Sequence, residues 1–145
     1  MPSPLRRWFR PRGLILTAMI VLVGVLIWRN QRARNEADVA MAADWVLDTV
    51  LAAQADHGKA FEVPGTQPVV ASALASWVRS AVPADSSIQA TVTVVSLGSG
   101  LFGARDGDAT HRATIELRGS RAEADVLWRE DARAIVAWRL IEAGR

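Results

Sequence analysis

The hydrophobic rhythm of the chain changes several times. Residues 13–28 carry no charge over sixteen positions, and Thr17 is the only polar side chain among them. Such a run predicts a helix that is apolar on every side. Residues 30–35 are polar and charged, a short stalk, and Asn35-x-x-Asp38 has the spacing of a capping box that opens a new helix. From Val39 an apolar stripe recurs at Ala43, Val46, Leu47, Val50 and Leu51, at steps of three and four. His57-Gly58 suits the end of that helix. Phe61-Glu-Val-Pro-Gly then breaks the pattern. A second helix follows, with Thr66 placed to cap it, Pro68 in its first turn and Pro83 as its stop. Its stripe is Val70, Leu74, Trp77, Val78 and Ala81.

Beyond Pro83 the period falls to two. Ile88, Ala90, Val92 and Val94 alternate with Gln89, Thr91 and Thr93, which predicts a half-buried strand. After a glycine-rich loop at residues 98–108, Ala113, Ile115 and Leu117 alternate with polar residues, and Gly119-Ser120 marks a turn. Ala122, Ala124, Val126 and Trp128 form the apolar side of a third strand. The last strand puts Ala134, Val136, Trp138 and Leu140 on one face and Ile135, Ala137 and Ile141 on the other. Ser120-x-x-Glu123 also reads as a capping box, so a helix over 120–132 is the competing assignment. The alternation favours a strand. The fold class is therefore α+β: an N-terminal transmembrane helix, then two helices packed on a four-stranded antiparallel sheet, because the apolar face of the sheet needs a cover.

The uncharged run decides the organisation. At 1.5 Å per residue it spans about 24 Å, a little less than the roughly 30 Å of a hydrocarbon core. Arg12 and Arg29 can close the gap by extending their charged ends to the headgroups, and Trp28 stands where interfacial aromatics belong. The small-x-small sequence Ala40-Met41-Ala42 lies too far beyond the run for a signal-peptide cleavage site, so a retained anchor is expected. Four arginines precede the run and three follow it. The positive-inside rule then puts the N-terminus in the cytoplasm and the C-terminal domain outside. The expected divisions are a basic leader at 1–12, the span at 13–28, the stalk at 29–35 and an extracytoplasmic domain at 36–145.

Charge sharpens this division. The net charge is +2, but residues 1–35 hold seven arginines and no acid, while residues 36–145 hold ten basic and fifteen acidic side chains. The basic excess belongs to the anchor and gives no reason to expect a nucleic-acid partner. The chain has no cysteine, which removes disulfides and thiolate metal sites.

Candidate chemistry is sparse. Residues 98–103 spell G-x-G-x-x-G after a strand, but Ala-Arg-Asp-Gly-Asp follows where a dinucleotide site requires a helix. Asp106-Gly-Asp108 lacks the remaining ligands of a calcium loop. His57 and His111 have no metal-binding spacing, although either could meet Asp85 or Glu116 in an apolar pocket as an acid/base pair. No cofactor, metal or catalytic residue is expected, and the chain is not expected to be an enzyme. Trp45, off the main stripe of its helix, and Leu101 and Phe102, at the loop tip, are the candidate partner contacts.

Two helices followed by antiparallel strands ending in Trp138-Arg-Leu-Ile resemble the nuclear-transport-factor-two-like superfamily over residues 36–145. That resemblance implies a curved sheet wrapped by helices into a cone. With one preceding span, the chain is similar to inner-membrane scaffold subunits of type IV secretion and conjugation machines, and to mammalian-cell-entry-associated membrane proteins. It also resembles the short inner-membrane subunits of type II secretion and type IV pilus machines, which pair one span with a ferredoxin-like domain and would need the helix over 120–132. These resemblances imply a bitopic protein of a bacterial inner membrane. Its periplasmic domain would bind other envelope proteins as a scaffold, with a homo-oligomer as one form. A small-molecule-binding or isomerase-like cone domain is the alternative from another functional class.

Overall fold

The computed structural model describes residues 11–56, 60–82, 87–98 and 109–141. The elements are α1 (Pro11–Ala55), α2 (Pro68–Ala81), β1 (Ala90–Ser96), β2 (His111–Leu117), β3 (Ser120–Trp128) and β4 (Arg133–Ile141). The chain divides into two compact units, Met1–Ala37 and Asp38–Arg145. α1 contributes to both, because the helix does not restart at Asn35. Residues 30–38 hold only helix-compatible side chains, with neither Gly nor Pro, so the ladder runs through the expected stalk.

In the first unit every described side chain from Leu14 to Trp28 is exposed, Ile20 at 64% and Val25 at 46%. Thr17 disposes of its one polar group internally, its Oγ1 donating to the Gly13 carbonyl at 2.9 Å. A helix satisfies its backbone in the same way, which is what a hydrocarbon environment demands. This helix is long and apolar enough to cross a membrane by length and composition.

In the second unit the C-terminal part of α1 becomes amphipathic. Ala42, Val46, Val50 and Ala53 are fully buried, and Thr49 is buried with its hydroxyl bonded to the Trp45 carbonyl at 2.8 Å. The buried stripe is rotated from the expected one, for Leu51 is 41% exposed and Ala42 takes an inward place. α1 ends at Ala55, and Asp56 donates back to Ala52; His57-Gly58 lies outside the described residues. α2 buries Ala71, Leu74, Ala75, Trp77 and Val78, with Pro68 in its first turn as expected. Its N-cap is Gln67, without a side-chain bond. Thr66 does not cap it, because the Thr66 Oγ1 accepts the Ile135 amide of β4 at 2.9 Å.

The four strands form one antiparallel meander in the order β1-β2-β3-β4. Ser120–Trp128 is a strand and pairs along its length with both neighbours. The alternation of β1, β2 and β3 falls as expected: Val94, Ala113, Ile115, Leu117, Ala122, Ala124 and Val126 are buried on the face that α1 and α2 cover. β4 departs from simple alternation. Its register against β3 shifts between Asp125 and Val126, so that Ala137 faces Asp125, Ile135 faces Val126, and Val136 has no partner. This bulge turns Ile135 into the core, 1% exposed, leaves Val136 39% exposed, and so parts Ile135 from Ala137, with which strict alternation grouped it. The Trp77 indole N–H donates to the Ser120 hydroxyl at 2.9 Å, and its ring meets Trp138 edge-on at 5.2 Å.

The other face of the sheet is polar. Arg112 pairs with Asp125 at 2.8 Å, Arg139 with Glu123 at 2.6 Å and with Asp125 at 3.5 Å, and Arg121 with Glu116 at 3.1 Å. These pairs join neighbouring strands on alternating positions, the sheet equivalent of charge pairs along a helix.

Candidate functional site

Three groups of residues carry the functional questions. The first is the end of the apolar stretch. Trp28 is 58% exposed, and Arg29 beside it is exposed as well. One turn further on, the Arg32 guanidinium lies 5.6 Å from the Trp28 ring centre and its Nε donates to Glu36 at 3.0 Å. Helical spacing of four brings these three side chains into one column. An indole with a cation over it has the composition of a membrane–water boundary, where one end is apolar and the other is wet. Arg12 falls in the first turn of α1, and its side chain lies outside the described residues.

The second group surrounds Trp45. Its ring is half-buried and meets Trp128 edge-on at 6.0 Å. The Arg133 guanidinium covers the other indole, 4.4 Å from the Trp128 ring centre. Trp45, Pro64, Glu130, Asp131, Ala132 and Arg133 line an open cleft of about 280 Å³. Trp45 thus packs one side against the core cluster and offers the other to this cleft. The Pro64–Gly65 turn sits here because Gly65 has a φ of +79°, and a Cβ on it would stand 2.9 Å from the Arg133 carbonyl oxygen. Leu101 and Phe102 lie outside the described residues.

The third group is His111, 7% exposed at the start of β2. It shares an inward row with Val126 and Ile135, and is paired on its other side with Ser96, which is exposed. Burial lowers its pKa below 6.5, and the negative charge of Asp38 opposes this. The Thr110 hydroxyl stands 2.8 Å from the His111 Nδ1 and accepts the Trp128 amide at 2.8 Å. The tautomer sets the direction: with Nε2 protonated Thr110 donates to Nδ1, and with Nδ1 protonated Thr110 accepts from it and donates to the Val126 or Trp128 carbonyl, each at 3.3 Å. Glu116 cannot join this network. It lies on the polar face of β2, where Arg121 pairs with it. The acid/base pairing of His111 with Glu116 is therefore absent, while His57 and Asp85 lie outside the described residues.

Of the glycine motif only Gly98 is described, with a φ of +78° after the end of β1. Asp106 and Asp108 lie outside the described residues. Among the described residues, no three His, Asp or Glu side chains gather within metal-binding reach.

Sequence reasoning passed over Thr110 and Arg133, and assigned Thr66 to a helix cap when it instead accepts the Ile135 amide. Each acts through a contact made across the fold, and a hydroxyl in a loop or a guanidinium at the first residue of a strand gives no periodic signal. Compared with family models, with curated proteins and with solved structures, the chain matches none.

Proposed function

We propose that this chain is a bitopic protein of a bacterial inner membrane whose extracytoplasmic domain binds other proteins as a scaffold component of an envelope assembly. The observation that carries the reading is α1 itself: one unbroken helix is uncharged and exposed over residues 13–28 and then supplies core residues to the α+β domain. A domain built onto its anchor in this way is held at the bilayer rather than passing it. The four leading arginines favour a cytoplasmic N-terminus. A phosphatase fused at Arg145 is expected to be active, and an inactive fusion on a stable chain would reverse the orientation.

The domain is read as cone-like. Support comes from the continuous meander, the bulge in β4 that strengthens the local twist, and two helices on one face. The pilus and type II secretion reading drew on a helix over 120–132, and the strand at Ser120–Trp128 favours the cone. The small-molecule reading is weaker because the inward row at His111 is occupied by Val126 and Ile135, both closed to solvent.

The Trp45 cleft supports protein binding. Indole and guanidinium groups beside a rim of Glu130 and Asp131 have the composition of interface anchors. Purification of the full chain in mild detergent is expected to recover it with other envelope proteins. Recovery of a partner-free monomer from native membranes would overturn the proposal.

A further inference from the structure

The two edges of the sheet are built differently. Along β4 the edge is interrupted by the bulge at Val136 and flanked by Arg133 and Arg139. The Pro64–Thr66 turn lies against it, with Thr66 taking the Ile135 amide. These are the devices by which proteins keep an edge from pairing.

Among the described residues β1 has none of them. Ala-Thr-Val-Thr-Val-Val-Ser contains no charge, no proline and no glycine, and is regular over seven residues. Among the described residues it pairs with β2 alone. The Leu97 amide donates to the Thr110 carbonyl, so Leu97 and Thr110 form a hydrogen-bonded pair. In an unbroken antiparallel ladder the bonded pairs recur at every second residue. Val95, Thr93 and Thr91 therefore bond to β2. Ala90, Val92, Val94 and Ser96 direct their amides and carbonyls outward along an edge that no described residue pairs with. A row of backbone groups unpaired among the described residues, on a β-branched, uncharged strand, is a template for another strand.

We infer that β1 pairs with β1 of a second copy of this chain, antiparallel about a two-fold axis at Thr93, to make a continuous eight-stranded sheet. The strand is self-complementary in this register. Thr93 faces Thr93 of the other copy as a non-hydrogen-bonded pair, and Thr91 faces Val95 on the same polar face. On the inner face Val92 meets Val94 and Ala90 meets Ser96, so the apolar row continues across the axis. The outward groups of Ala90, Val92, Val94 and Ser96 all find partners. No charge meets a like charge, because the strand has none. A partner strand bearing charges would gain nothing from this neutral edge, whereas a second copy matches it residue for residue. The inference is independent of the scaffold reading, since it rests on the edge alone.

The chain has no cysteine, so one substitution gives a unique probe. At a non-hydrogen-bonded antiparallel pair the Cα atoms are about 4.5 Å apart, within the span a disulfide accepts. The full-length Thr93→Cys chain, in native membranes treated with copper-phenanthroline, is expected to run mostly as a reducible dimer on a non-reducing gel. Ala137→Cys, on the same face of β4, is expected to remain monomeric under the same oxidation. A Thr93→Cys chain that stays monomeric while a maleimide labels it freely would overturn the inference, as would equal cross-linking at Ala137→Cys. A second measurement distinguishes a native dimer from one trapped by oxidation alone. Thr93→Glu, which places like charges on the axis, is expected to shift the full chain in detergent from dimer to monomer by native mass spectrometry, with an unchanged circular dichroism spectrum. A native chain that is monomeric, or a Thr93→Glu chain that remains dimeric, would overturn it. Cross-linking failure together with recovery of other envelope proteins would leave the scaffold reading standing, and the reverse result would remove that reading alone.

Discussion

Two stretches of the same helix are patterned differently. Between residues 13 and 28, α1 is apolar on all sides and every described side chain from Leu14 onward is exposed. Between Asp38 and Ala55 it is amphipathic and buries Ala42, Val46, Thr49, Val50 and Ala53 along one stripe. No break in backbone separates them; the difference lies in where polar residues are allowed. A helix packed on a sheet needs one apolar face, and its other face gains from charge. A helix in hydrocarbon has no polar side at all. Thr17 and Thr49 make the same point. Both donate to the carbonyl four residues back, at 2.9 Å and 2.8 Å, and both thereby leave no hydroxyl without a partner.

The comparison breaks most sharply with a charge on either side. Val46 is fully buried, and Val46→Asp puts an unpaired carboxylate in the core at a cost of several kcal/mol. That is comparable with the whole stability of a small domain, about 5–15 kcal/mol. The domain is expected to become protease-sensitive while the chain still sediments with membranes. Val21→Arg should do the opposite. A charge at the centre of a span costs about 2.5–3.5 kcal/mol by insertion measurements, so the membrane-bound fraction is expected to fall while the protease-resistant domain is unchanged. If either substitution produced both effects, the two stretches would not be independent.

Smaller effects sharpen the account of the domain half. Thr66→Val removes the acceptor of the buried Ile135 amide and is expected to destabilise the domain by about 1–3 kcal/mol. Chemical denaturation measures it, with no change in membrane sedimentation. The smallest effect is that of pH. The folded-state pKa of His111 lies below 6.5, so the unfolded chain binds more protons in the window between the two values. This contribution is complete above about pH 6.5. It is lost as pH falls through the lowered value. The melting temperature should therefore drop on acidification, and His111→Gln should flatten that part of the profile.

Much of the domain was legible from alternation and stripe. β1, β2 and β3 each show a period of two, interrupted at Val95 in β1 and at Leu127 in β3, and α2 shows its stripe through Leu74, Trp77 and Val78. The bulge in β4 was not legible. Ala134, Ile135, Val136 and Ala137 are all apolar, so period two assigns sides without a hint that one residue is skipped. The continuity of α1 was hidden for a related reason. Asn35-x-x-Asp38 has the chemistry of a cap, but the surrounding residues are good helix formers, and the capping geometry has no break to occupy. At the candidate sites, Trp45 showed its unusual position in the sequence. Its partner Trp128, and the Arg133 that covers Trp128, come from strands far along the chain and could be found only in the fold.

The central claim is that α1 is retained as an anchor and also serves the core. Membranes from cells expressing the full chain can be washed with alkaline carbonate and the pelleted protein weighed intact. The account predicts that the chain stays in the pellet at its full 15.7 kDa, with residues 13–28 present. Release into the carbonate supernatant, or a shortened species lacking that stretch, would contradict it.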